Sequence, residues 1–343
     1  MFFHQLKQIF RGLWRYKSFT IINFLGLSIG IAAIITLYLI STYEKQFDQL
    51  HSDSANLYRV VSKKDRNGKT VQQATVPYPL ATFLRLENPN LLATQIHFDK
   101  DKSIRIDHQT PFEEKNIVFA DSLFFEVMDY SAIKNFWIRG NPKQAMNGPN
   151  RAVLTEATAQ RYFGNQDPVG KTFRLDNKAD IEVVGIVKNI PATTHLPANL
   201  FISFATLNKD FMAGINMDSW GFISNGFCYV KLPPAVSTAS VENSLAAVVN
   251  KHAEEEKDKK EKFSLQAVSD IHFNTAYEDS NPNYTISRQY LRMLLLLGAF
   301  IILIACVNYI NLSTSLAFSK SKEVGIRKTI GASKKQLFFF YFL

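Results

Sequence analysis

Cysteine is nearly missing from this chain: there are two in 343 residues, Cys228 and Cys306. Two do not make a disulfide framework, and since one lies in a polar segment and the other inside a long apolar run, no bridge between them is expected. Histidine is scarce too. None of the seven stands in H-E-x-x-H or H-x-x-x-H spacing. His97, Asp99, Asp101, Asp107 and His108 read as a charged hairpin, so no metal site is expected. Charge itself is absent from two places, residues 19–43 and 293–318, which hold no Asp, Glu, Lys or Arg. Each run exceeds the roughly 20 apolar residues that carry a helix across a hydrocarbon core of about 30 Å. This excludes a simple soluble enzyme, although the mean hydropathy of -0.07 is that of a soluble chain. The run from Ile21 to Ile40 is longer than the core of a signal peptide, and no A-x-A-like cleavage site follows it before Tyr43-Glu44-Lys45. The first run therefore reads as a retained anchor.

The net charge of +9 is carried by the flanks of these runs. Lys7, Arg11, Arg15 and Lys17 stand alone before the first, while Lys320, Lys322, Arg327, Lys328, Lys334 and Lys335 stand against Glu323 after the second. The middle of the chain is balanced, which removes support for nucleic acid as a partner. Short basic flanks mark the cytoplasmic side. Both ends are expected inside and residues 44–288 outside.

This gives a membrane protein in which two transmembrane α-helices, with a third beginning at the C-terminus, flank a large α+β extracytoplasmic domain. Residues 1–18 read as an amphipathic helix in the inner-leaflet interface, 19–43 as the first span, 289–318 as the second, 319–335 as a basic cytoplasmic loop with a short helix, and 336–343 as the start of a third span. The chain stops inside that apolar stub, so it reads as a fragment of a longer membrane protein. Within the outer segment, Leu57 to Val61 is strand-like, Asn67-Gly68 is a turn signal, Pro79 to Leu86 a short helix, Thr155 to Phe163 a capped helix, and Ile181 to Val187 a buried strand. The mixed-sign block Glu254 to Lys262 is expected to be a solvated helix end.

Several motifs tempt and fail. Gly26-Leu-Ser-Ile-Gly30 fits the G-x-S-x-G elbow of hydrolases, but it lies inside an uncharged run rather than at a strand-to-helix turn. The same residues fit G-x-x-x-G, where Gly26 and Gly30 would let another helix approach closely. Asn308 and Asn311, in the second run, are expected to bond between helices. Gly164 to Thr172 is one residue too long for a phosphate loop and leads into a strand rather than a helix.

The stretch Asn308-Tyr-Ile-Asn-Leu-Ser-Thr-Ser315 and the block Lys320-Ser-Lys-Glu-Val-Gly-Ile-Arg-Lys-Thr-Ile-Gly-Ala-Ser333 resemble the signature of the FtsX-like permease domain of MacB-type ABC transporters. Phe119-Ala-Asp-Ser-Leu-Phe-Phe-Glu126, Ala152-Val-Leu-Thr-Glu156, Arg161-Tyr-Phe-Gly164, Asp167-Pro-Val-Gly-Lys171, Val183-Val-Gly-Ile-Val-Lys188 and Ser269-Asp-Ile-His272 are similar to that family's periplasmic core domain. The resemblance implies a permease subunit of the bacterial inner membrane without catalytic residues or a cofactor of its own. ATP would be used by a separate cytoplasmic ABC ATPase, and the helices would transmit its motion to the outer domain for export or extraction of a substrate. It also implies a second permease copy or homologue as partner, and leaves room for a membrane-fusion protein and an outer-membrane channel. The alternative it carries is a regulatory membrane protein that controls a periplasmic partner such as a cell-wall hydrolase.

Under this resemblance Glu323, Val324, Gly325, Ile326, Arg327, Lys328, Gly331 and Ala332 form the segment that docks on the ATPase. Their order suits the role: Glu323 and Arg327 are four apart in the helix-supporting direction, Gly331 can take the left-handed conformation that ends a helix, and Val324 and Ile326 are expected to enter a groove with Arg327 and Lys328 at its rim.

Overall fold

The structure, a computed structural model, describes residues 17–66, 69–107, 110–220, 225–234, 236–253 and 261–333. The expected interfacial helix before Lys17, the Asn67-Gly68 turn, His108, most of the charge block after Ala253 and the apolar stub 336–343 lie outside the described residues. The chain divides into two compact units, Glu44–Arg288 and the flanking pair Met1–Tyr43 with Gln289–Leu343.

The flanking unit is built on two helices, α1 (Lys17–Lys45) and α7 (Arg288–Thr329). Both hold windows long and apolar enough to cross a membrane, Phe24–Lys45 and Arg288–Asn311. Two hydroxyls are satisfied by their own helix: Thr36 Oγ1, in the first window, donates to the Ala32 carbonyl at 2.9 Å, and Thr314 Oγ1, just past the second, to that of Ile310 at 2.7 Å. This internal pairing is what a solvent without hydrogen-bonding capacity requires.

The basic segment after the second apolar run is not a separate short helix, as expected, but the continuation of α7 as far as Thr329. No proline interrupts residues 288–329; Gly298 and Gly325 are carried inside the helix, which ends where Gly331 turns left-handed. Here φ is +99°, the Gly331 amide donates to the Lys328 carbonyl at 3.2 Å and the Ala332 amide to that of Arg327 at 3.1 Å. The two bonds form the crossed pair of a Schellman end. At 1.5 Å per residue, the 42 residues of α7 make a rod of about 63 Å.

The outer unit holds one mixed sheet. Its strands are β1 (Leu57–Arg66), β2 (Lys69–Gln73), β3 (Leu92–Arg105), β4 (Phe112–Ala120), β5 (Trp137–Arg139), β6 (Arg151–Thr155), β7 (Thr172–Leu175), β8 (Ala179–Val187), β9 (Leu200–Ser203), β10 (Gly226–Lys231) and β11 (Lys262–Ala267). They run in the order β11-β1-β10-β3-β4-β9-β6-β8-β5, with β2 on β1 and β7 bridging β3 and β8. The neighbours β4 and β9, and β6 and β8, are parallel. Helices α2 (Leu80–Glu87), α3 (Phe124–Met128), α4 (Glu156–Phe163), α5 (Thr238–His252) and α6 (Val268–Ile271) cover the sheet or close its connections.

Side chains alternate across a strand, and here both faces are buried. On β10, Phe227 and Tyr229 enter one apolar cluster while Cys228 and Val230 enter another. On β9, Phe201 joins the first cluster and Leu200 and Ile202 a third. Double burial explains why these strands read as continuous apolar runs instead of alternating ones. Helix caps follow the local sequence: the Thr155 hydroxyl accepts from the Thr158 amide to start α4, and Ser237 does the same for α5 through Ser240.

Candidate functional site

Three places are candidates for function: the contact between the two long helices, the basic end of α7, and the neck of the outer unit where the chain enters and leaves it.

The helix contact is made by glycines. A Cβ at Gly26 would lie 3.2 Å from Asn308 Nδ2, one at Gly30 would lie 3.3 Å from Ala305 Cβ, and one at Gly298 would lie 3.0 Å from Leu37 Cδ1. Positions rise along α1 as they fall along α7, so the pair is antiparallel. Gly298, Ile301, Ala305 and Asn308 follow a three-four-three spacing, which keeps one face of a helix on its partner. Asn311 is exposed and lies off this stripe, because the next position of the repeat is 312. Of the two asparagines, Asn308 is the one that lies against the other helix, beside Gly26.

At the basic end of α7, Ile326 and Ile330 are exposed, one turn apart, with Arg327 and Lys328 beside them. Val324 is half-buried. Val324 and Ile326, two apart, point to nearly opposite sides of the helix. Ile326 shares its face with Ile330 instead. Glu323 and Gly325 lie within the helix, while Gly331 and Ala332 form its end.

The neck is a cluster that the sequence reading missed. Glu44 and Phe47 directly follow the first apolar run; His272 and Tyr284 shortly precede the second. Glu44 Oε2 lies 2.5 Å from His272 Nε2, the Phe47 ring stacks on His272 with centroids 3.4 Å apart, and Tyr284 meets both rings edge-on. Arg288 reaches Asp270 Oδ1 at 3.1 Å. The two ends of the outer unit are thus clamped to each other. Ser269-Asp-Ile-His272 was a signal for it, but its partners lie 228 residues away.

Next to the clamp, Asp48, His51 and His195 form a buried group. Asp48 Oδ1 takes the His195 amide at 2.9 Å, His195 Nδ1 at 2.8 Å and the Thr194 hydroxyl at 3.1 Å. Burial alone raises the Asp48 carboxyl, but His195 outweighs it and holds the group below the usual carboxylate range. Burial pushes the His51 imidazole down to about 4. In the same core, Arg59 is wholly buried and donates to Asn281 and Gln266 at 2.7 Å each, tying β1 to β11 and to the segment before α7.

The remaining motifs of the outer unit are structural. Asp121 accepts from Arg85 at 2.8 Å, from Thr94 at 2.5 Å and from the amides of Gln95 and Leu123 at 3.1 Å. Glu114, buried, receives Arg161, the Tyr162 hydroxyl and Asn199. Gly164 ends α4, and the segment after it leads into β7, so no helix N-terminus faces a phosphate there. Cys228 is buried, Cys306 exposed, and both are free.

Comparison with known proteins follows this division. The MacB-like periplasmic core domain matches residues 20–248, and the FtsX-like permease C-terminal family matches residues 295–343. The macrolide export ATP-binding/permease protein MacB of Bdellovibrio bacteriovorus is 23% identical over 346 residues, covering 97% of this chain and 49% of that protein. The chain thus spans about half the length of this curated relative. Among solved structures, a domain of a protein described as a permease from Porphyromonas gingivalis aligns with a TM-score of 0.52 at 18% identity, over 64% of this chain and 91% of that one, a likeness of fold. The periplasmic region of MacB from Actinobacillus actinomycetemcomitans aligns with a TM-score of 0.42 at 16% identity, over 65% of this chain and 95% of that one.

Proposed function

Since the chain belongs to the MacB-like, FtsX-like family of ABC-transporter permeases, we propose that it works as a mechanical transmitter in the bacterial inner membrane, carrying ATP-driven motion from a cytoplasmic ATPase to its own extracytoplasmic domain. The substrate is moved by the outer domain, for export or extraction, and not through a channel between the helices. The observation that carries this reading is α7. One unbroken helix of 42 residues, about 63 Å, is twice the thickness of a hydrocarbon core of about 30 Å. It begins at the neck of the outer unit and ends in a capped, basic tip. A rod without a hinge passes on a push or a tilt that a flexible loop would absorb.

At the tip, Ile326 and Ile330 supply the apolar part of the ATPase contact, and Arg327 and Lys328 its charged rim. At the other end, the Glu44–His272 clamp holds the two termini of the outer domain together, so movement of the helices reaches the sheet. The permease acts as a dimer, with a second copy or a homologue, so that ATP-driven closure has two arms to bring together.

Substitution at the tip tests the reading. Ile330 is 80% exposed, so Ile330→Asp leaves folding intact. The expected result is loss of ATPase co-purification and of substrate-stimulated ATP hydrolysis, with normal membrane insertion. Arg327→Glu alone reverses one rim charge, worth about 1 kcal/mol. Adding Gly331→Val, whose β-branched side chain is strained at φ +99°, should remove the remainder by displacing the helix end. Full ATPase binding and turnover in both Ile330→Asp and the double variant would show the segment to be only a basic topogenic stretch.

A further inference from the structure

The group formed by Asp48, His51 and His195 contains two buried polar atoms with no hydrogen-bond partner among the described residues, Asp48 Oδ2 and His51 Nε2. Such orphans are costly, and more so for a charged group. They occur together here. Each of the three residues offers one ligand atom, these atoms lie within 4.8 Å of one another, and all three residues are 3% exposed or less. We propose that Asp48, His51 and His195 bind one divalent transition-metal ion of the zinc type, as a structural staple in the neck of the outer domain.

The hydrogen bonds around the group are those of a ligand set. A metal-binding histidine nearly always donates its other ring N–H to a carbonyl or carboxylate, which fixes the tautomer that presents a lone pair. His51 Nδ1 lies 2.6 Å from the Met128 carbonyl, so it carries the proton and Nε2 carries the lone pair. His195 Nε2 lies 2.9 Å from the Tyr229 hydroxyl. With its proton on Nε2, donated to that oxygen, His195 Nδ1 is free to ligate in place of its hydrogen bond to Asp48. The tautomer changes and no proton leaves. Asp48 contributes Oδ2 while Oδ1 keeps the bonds from the His195 amide and Thr194.

The donor set of two imidazoles and one carboxylate suits zinc and its first-row neighbours, and does not suit calcium or magnesium, which take oxygen shells. Bonds of about 2.0–2.2 Å place tetrahedral ligand atoms about 3.3 Å apart, so the three side chains draw inwards on loading. Three protein ligands leave the fourth tetrahedral position to a water; with all three side chains buried, that position is closed to a substrate, which makes the ion a staple and not a catalyst. Its position gives it a task. Asp48 and His51 belong to the first residues of the outer unit, His195 to the connection between β8 and β9, and their supporting groups to α3 and β10. One ion would staple the incoming segment to the sheet next to the Glu44–His272 clamp.

The test uses the full chain purified in detergent, stripped with a chelator and titrated with zinc against a chromophoric competitor. One equivalent per chain is expected to be retained, with a raised unfolding temperature. Asp48→Asn and His51→Gln should each lose that equivalent. Tyr229→Phe should keep it with affinity lowered about tenfold, the effect of losing a supporting hydrogen bond. Where a variant does not fold, cobalt(II) added to the unaltered chain decides. Visible d–d bands of a four- or five-coordinate site without a thiolate charge-transfer band support the assignment; a weak octahedral spectrum, or a thiolate band from a cysteine, overturns it. It is equally overturned if the unaltered chain retains no zinc under competition, or if both folded variants retain the same equivalent.

Discussion

The helix pair and the outer domain use the same kinds of apolar side chain in opposite ways. In the outer domain Phe119, Phe124 and Phe201 are wholly buried, whereas on the helices Phe24 and Leu296 are 71% and 70% exposed. A water-soluble fold cannot leave a belt of that kind uncovered, and a fold facing lipid has no reason to cover it. Glycine shows the same division. Gly226, on β10, stands where a Cβ would meet the Tyr78 ring at 2.8 Å, so it makes room for a core aromatic. Gly26 and Gly30 make room for another helix. In the outer domain shape fills an interior by removing water from apolar surface; between the helices, where lipid is as apolar as leucine, close packing is itself the attraction.

The largest contrast is expected from truncating a phenylalanine in each region. Phe201 packs between Phe124 and Phe125, with ring centroids at 5.4 and 5.2 Å. Phe201→Ala should cost about 3–5 kcal/mol, read by denaturation of residues 46–286 expressed alone, which should unfold cooperatively. Phe24→Ala in the full chain should change stability by less than about 0.5 kcal/mol, the effect of an exposed site. Equal effects would erase the distinction between the regions.

A smaller change is expected from Gly30→Leu. Its Cβ would already press on Ala305 at 3.3 Å, before the rest of the side chain is placed. The helix contact should weaken by about 1–2 kcal/mol, the scale of interhelical interactions in membranes, and cysteine cross-linking between the helices should fall. The outer domain's unfolding transition should not move.

The smallest effect is one of pH, confined to the outer domain. Asp99 lies 3.1 Å from His97 Nε2 and 3.1 Å from Lys102 Nζ, and Lys102 is also 3.4 Å from Asp176. Burial alone raises the Asp99 carboxyl, but His97 and Lys102 outweigh it and hold it below its ordinary value. A depressed carboxylate contributes stability that is complete above its unfolded pKa, about 3.9, and is lost as the pH falls through the lower folded value. The unfolding temperature of residues 46–286 should therefore drop below about pH 4, and Asp99→Asn should flatten that acid limb. An unchanged limb in the variant would assign the loss to other carboxylates.

What was legible in the sequence was local. Charge-free runs outlined α1 and α7, Thr155 announced a helix start, and Gly331 a helix end, since each depends on neighbours within a few residues. The continuity of α7 was hidden because its lysines read as a loop, although nothing before Gly331 stops the helix. The neck was hidden for another reason. Glu44 meets His272 across 228 positions, and His195 reaches Asp48 across 147. No periodicity links such residues, and only the folded sheet brings them together. Asp48 and His51, three apart just after the first apolar run, were the local trace of that cluster.

The central claim is that the two regions lie in different surroundings, with the outer domain on one side of a membrane and the basic tip of α7 on the other. Reporter fusions at Asn67 and after Lys335 in the full chain test it most directly. An extracytoplasmic signal is expected at Asn67 and a cytoplasmic one at Lys335; signals from the same side at both positions would contradict this topology.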